Sequence, residues 1–87
     1  MCSGVQQYLY TEARVSVNSA KLTIKKANTG IADAKGKLEL AVKKENENGI
    51  QNETLRIEQW QMLKRPAVFD LDVQQKMIKK IEQICKP

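Results

Sequence analysis

The chain has 87 residues and a net charge of +5, from 15 Lys and Arg against 10 Asp and Glu. That length supports one domain, residues 1–87, with a core so small that a few kcal/mol decide whether it stands alone. Hydrophobic residues make up 41% and aromatics 5%. This balance suits aliphatic helix packing rather than a deep ligand pocket with aromatic walls, and no apolar run approaches the ~18 residues needed to span a bilayer.

The first element is carried by spacing. Tyr10, Ala13, Val17, Ala20, Ile24, Ala27, Ile31, Ala34, Leu38 and Ala41 follow one another by alternating steps of three and four, the a/d stripe of a coiled coil. The residues between them are mostly polar, so the pattern predicts a long amphipathic helix over about 5–45. Every d position from Ala13 to Ala41 is Ala, while Val17, Ile24, Ile31 and Leu38 at a are larger. A small residue once per heptad lets a neighbouring backbone approach closely. Ser16, Thr23 and Gly30 at g are also small, as though that flank faced the neighbour too. Arg14, Lys21 and Lys35 line the opposite flank, where they would seek carboxylates or an anionic partner. The stripe resembles the alanine-rich antiparallel packing called an Alacoil, which is a packing class and implies no function.

Two glycines oppose a continuous helix, since each costs roughly 1 kcal/mol relative to Ala. Asn28-Thr29-Gly30 also reads as a helix end followed by a turn. The heptad phase nevertheless passes Gly30 unshifted, which favours continuity. An alternative is an α+β antiparallel sheet with a C-terminal helix, suggested by short period-two stretches such as Arg14–Val17 and by the turn dipeptide Asn48-Gly49. It leaves the evenly spaced alanines without a role, and Ala is a poor strand former.

From Lys43 to Gly49 the chain is polar and reads as an exposed reversal. A second helix over about 53–65 is expected after an Asn52 cap, ending before Pro66, with Leu55, Trp60, Met62 and Leu63 as its apolar residues. A third, about 71–86, follows an Asp70 cap with Val73, Met77, Ile81 and Ile84 as its apolar set. At 1.5 Å per residue the first helix spans about 47 Å and the later two, end to end, roughly 40 Å. The reading is therefore all-α: a long N-terminal helix packed antiparallel against two shorter ones, in a hairpin or bundle. Val15 and Leu22 fall at f on the far side of the long helix, as a possible outer contact for a further partner or a second copy.

Such a hairpin brings Cys2 and Cys85 to one end, where an oxidising compartment would allow a disulfide worth roughly 4 kcal/mol in the chain-entropy model. Two unpaired intracellular thiols are the plainer alternative. The absence of His removes the usual general base near neutral pH and the commonest metal ligand. Two cysteines do not make a four-ligand zinc site, and no phosphate-cradling glycine motif occurs. No catalytic, cofactor-binding or metal-binding residue is therefore expected, and the chain is read as a non-enzyme.

The expected function is a non-catalytic protein–protein interaction module, such as an assembly subunit, adaptor or inhibitor. Its face would be Ala13, Val17, Ala20, Ile24, Ala27, Ile31, Ala34, Leu38 and Ala41, with a protein partner or self-association into an oligomer. The first alternative is a small basic nucleic-acid-binding protein using Arg14, Lys21 and Lys35. The second is a small cell-envelope or secreted protein, or a lipoprotein, if Met1 stands in place of a signal peptide. Taken as complete, the chain would be cytoplasmic.

Overall fold

A computed structural model describes residues 3–85. They form two helices, α1 (Gly4–Lys43) and α2 (Glu47–Ile84), joined by a turn over residues 44–46, with no strand among the described residues. The helices lie side by side as a hairpin 64 Å long and 16 × 14 Å across.

The start of α1 is fixed by a reciprocal cap. Ser3 Oγ accepts from the Gln6 N–H at 3.2 Å while Gln6 Oε1 accepts from the Ser3 N–H at 2.9 Å, satisfying two donors that a helix start leaves open. Its end is a Schellman turn. The Asn46 N–H reaches the Ala41 carbonyl at 2.9 Å and the Glu45 N–H reaches Val42 at 3.1 Å. Asn46 then opens α2, its side chain accepting from the Gly49 N–H at 3.2 Å. One asparagine thus closes one helix and caps the next, which makes the reversal shorter than the polar composition of residues 43–49 suggests. The second helix accordingly starts from Asn46 rather than Asn52.

The turn carries a misfit. Glu45 has φ 54°, the left-handed conformation that a side chain with a Cβ occupies at a cost of about 1 kcal/mol or more and that glycine occupies freely. Glu45→Gly is expected to raise stability by about 1 kcal/mol, since its gain in backbone compatibility exceeds the entropy it restores to the unfolded chain. For a chain of this size that is a rise of roughly 4–8 °C in the midpoint of a thermal melt followed by circular dichroism. An unchanged or lower midpoint would contradict it.

Two expectations about the second arm are corrected. The break near Pro66 is absent: α2 runs through it as one helix, so the separate helices over about 53–65 and 71–86 merge. Pro66 is exposed, so the carbonyl that loses its helical N–H partner faces water instead of the core, and the cost of an interior proline is reduced. The apolar side of α2 also differs. Trp60 and Ile81 face α1 as expected, whereas Leu55, Met62, Leu63, Val73, Met77 and Ile84 are exposed. From Ile50 onward the less exposed residues of this arm are Ile50, Glu53, Ile57, Trp60, Lys64, Ala67, Leu71, Gln74, Ile78, Ile81 and the C-cap residue Cys85. These recur at three and four through Pro66 without a shift, because α1 offers one uninterrupted stripe and a facing helix must match it along its whole length.

Candidate functional site

The seam between the helices is built from methyl groups. Ala13, Val17, Ala20, Ala27, Ala34 and Ala41 are buried, with Ala27 at 0% exposure, and Ile81 joins them from α2. Ile24, Ile31 and Leu38 are half-buried. The register is read from contacts along its length. A Cβ placed on Gly49 would sit 3.0 Å from the Ala41 Cβ, Trp60 lies on Gly30, the Tyr10 hydroxyl donates to Glu82 at 3.3 Å, and Cys85 Sγ is 3.7 Å from Gln6 Oε1. This register sets Ala13, Ala20, Ala27, Ala34 and Ala41 approximately level with Ile78, Leu71, Lys64, Ile57 and Ile50, so small side chains of α1 stand opposite long ones of α2.

Gly30 owes its identity to this seam. A Cβ there would overlap the Trp60 indole at Cε2 and Nε1, so glycine is the residue that admits the ring. Ser16 and Thr23, on the same flank, are half-buried. A Cβ at Gly36, by contrast, meets nothing within 4 Å.

Glu53 is one of three polar residues, with Lys64 and Gln74, that break the apolar rule of the seam. The Glu53 side chain is 12% exposed, reaches Arg56 Nη1 at a loose 3.9 Å through Oε1, and leaves Oε2 buried without a hydrogen-bond partner. A carboxylate in that condition loses hydration and regains little. Glu53→Leu is expected to stabilise the hairpin by about 1–2 kcal/mol, measured by urea unfolding; destabilisation would mean that the carboxylate has a favourable partner in solution.

The interaction face, the outer contact and the basic flank expected from the sequence therefore have different fates. The alanine stripe is occupied by α2 of the same chain. Val15 and Leu22 remain outward at 61% and 53% exposure, and Arg14, Lys21 and Lys35 are exposed along their flank. Arg14 is tethered, its guanidinium 5.7 Å from the Tyr10 ring centroid and its Nη1 donating to the Tyr10 hydroxyl at 3.4 Å. Lys21 and Lys35 lie one and three heptads beyond it. Cys2, and with it the Cys2–Cys85 pairing, lies outside the described residues.

Sequence reasoning placed the apolar residues of α2 toward α1 and so missed that many of them look outward. Phe69 is 72% exposed and Met62 68%, with Leu55, Leu63 and Ile84 similarly uncovered. The signal that could have found them is the heptad row from Ile50 to Ile78, which leaves these residues no inward position. Among the described residues, no helix is long and apolar enough to cross a membrane. No family model, curated protein or solved structure matches this chain.

Proposed function

We propose that the protein is a non-catalytic helical interaction module, an assembly subunit, adaptor or inhibitor, that docks through the outward apolar side chains of its hairpin. The seam is read as an antiparallel, Alacoil-type pairing that stiffens the chain. The observation that carries this reading is exposed area. The accessible surface of the rod is 6839 Å², and it includes large apolar side chains left more than half exposed on α2, among them Leu55, Met62, Leu63, Phe69 and Ile84. Large apolar side chains gathered outward on one surface mark interaction sites.

Light scattering on the purified full chain, combined with affinity capture from its native host, tests the reading. A self-associated species or a specific stoichiometric partner is expected. A strict monomer that recovers no partner removes the proposal.

The exposed flank of Arg14, Lys21 and Lys35 favours nucleic-acid binding as a second reading. Its signature would be binding to duplex DNA or RNA that weakens steeply between low and moderate salt, and no binding at low salt eliminates it. The Cys2–Cys85 disulfide is part of the proposal because Cys85 is held beside Gln6 near the start of α1. Intact mass of protein from the native source, two hydrogens lighter before reduction than after, supports the bridge; equal masses refute it.

A further inference from the structure

We propose that the outward face of α2 seats the α2 of a second copy of this chain, the two helices running in opposite directions across a two-fold axis. This rests on the interaction-module reading and names its partner. The face consists of two adjacent rows: Leu55, Met62 and Phe69 at seven-residue steps, and Pro66 and Val73 beside them. All five point away from α1 and are exposed.

The choice of a second copy comes from the charges bordering these rows. Glu58, Arg65, Asp72 and Lys79 also follow at seven-residue steps and are all exposed, with signs alternating minus, plus, minus, plus. A two-fold axis between Arg65 and Asp72, relating helices of opposite direction, turns this row onto itself with every sign complemented. Arg65 then stands opposite Asp72 of the second copy, and Glu58 opposite Lys79, each pair occurring twice. Helices aligned in parallel register would set like charges level instead. In an opposed pair of helices the flanking row that precedes the apolar stripe meets its own copy, as the g positions of antiparallel coiled coils do. The register that pairs the charges also brings Met62 within ~3 Å along the axis of Val73 of the second copy, and Phe69 equally close to Pro66. Charge and apolar layers therefore call for the same alignment.

Area agrees with this arrangement. The stripe and its borders present on the order of 700 Å² per copy, or about 1,400 Å² for the pair, within the ~1,200–2,000 Å² of stable interfaces.

The test is sedimentation velocity on the purified full chain over a dilution series, with circular dichroism to verify that each variant stays helical. The parent is expected to be a dimer that dissociates on dilution. Phe69→Asp, at an exposed position, should raise the dimer Kd about 100-fold or more with helicity unchanged. Arg65→Glu alone and Asp72→Arg alone should each weaken the dimer about tenfold, since two pairs per dimer become repulsive. The double exchange should return Kd to within about threefold of the parent. Because Asp72 also pairs with Lys76 in its own helix at 3.0 Å, the exchange of Glu58→Lys with Lys79→Glu repeats the test on an independent pair. A parent that is monomeric at roughly millimolar concentration overturns the inference, and so does a dimer indifferent to Phe69→Asp or to the charge exchanges. In the latter case, or if a monomer captures a specific different protein, the interaction-module reading survives; a monomer with no partner removes both.

Discussion

Gly30→Ala should unfold or severely destabilise the hairpin, by about 2–4 kcal/mol, although helix propensity alone says it should gain about 1 kcal/mol. The reversal of sign comes from one neighbour. The added methyl would occupy space held by the Trp60 indole, and that ring is half-buried against α1, so accommodating the methyl requires the two helices to part or the indole to leave. Gly36→Ala is the internal control. It lies on the same helix, six residues on, with no atom near its would-be Cβ, and should gain up to about 1 kcal/mol. Urea unfolding of the two variants beside the parent should give a difference of about 2–5 kcal/mol between substitutions of identical chemistry. Equal effects would mean that Trp60 does not rest on Gly30 in solution. Trp60 fluorescence supplies a second readout, since its emission should shift to the red only in Gly30→Ala.

Ala27→Leu is expected to cost about 3 kcal/mol or more, enough to abolish cooperative folding in a chain with so thin a core. Ala27 has 0% exposure at the centre of the seam, and the backbones are close because the residue there is small. Three further carbons have nowhere to go except between the helices. The cost should fall toward the ends, so Ala41→Leu, beside the turn and at 8% exposure, is the milder variant. A flat profile along the stripe would mean that the helices are loosely associated and that spacing is not set by the alanines. Thermal melts of the set distinguish the two outcomes.

The first arm was legible in the sequence because every seam position on it is apolar and the d positions are one residue type. The expected helix of about 5–45 compares with Gly4–Lys43, and phase continuity across Gly30 correctly outweighed its helix-breaking composition. The small g positions also signalled a close neighbour, though nothing in the sequence said that Gly30 was matched to Trp60. The second arm was read less well for a physical reason. Its seam admits Glu53, Lys64 and Gln74 among the apolar residues, while Met62, Phe69 and Ile84 lie outside it. Choosing the most apolar residues of α2 therefore mixed its two sides, right for Trp60 and Ile81 but not for Leu55, Met62 and Leu63, and interior proline looked like a terminus because sequence alone does not say which way Pro66 faces. A seam opposite alanines tolerates long polar side chains, whose stems cover methyl groups while their ends reach water. The outward apolar rows of α2 were correspondingly illegible, whereas the alanine stripe, which α2 of the same chain covers, was visible.

Placing Gln6 and Cys85 at one end of a 64 Å rod fixes how the molecule would respond to tension. A load applied between those two residues does not shear the seam all at once. It concentrates on the first layer and peels the arms apart step by step toward the Lys44–Asn46 bend, so each step breaks one alanine contact. Yield under such a load would be gradual and its force low, and a bond across the open end would bear the strain in place of the methyl groups.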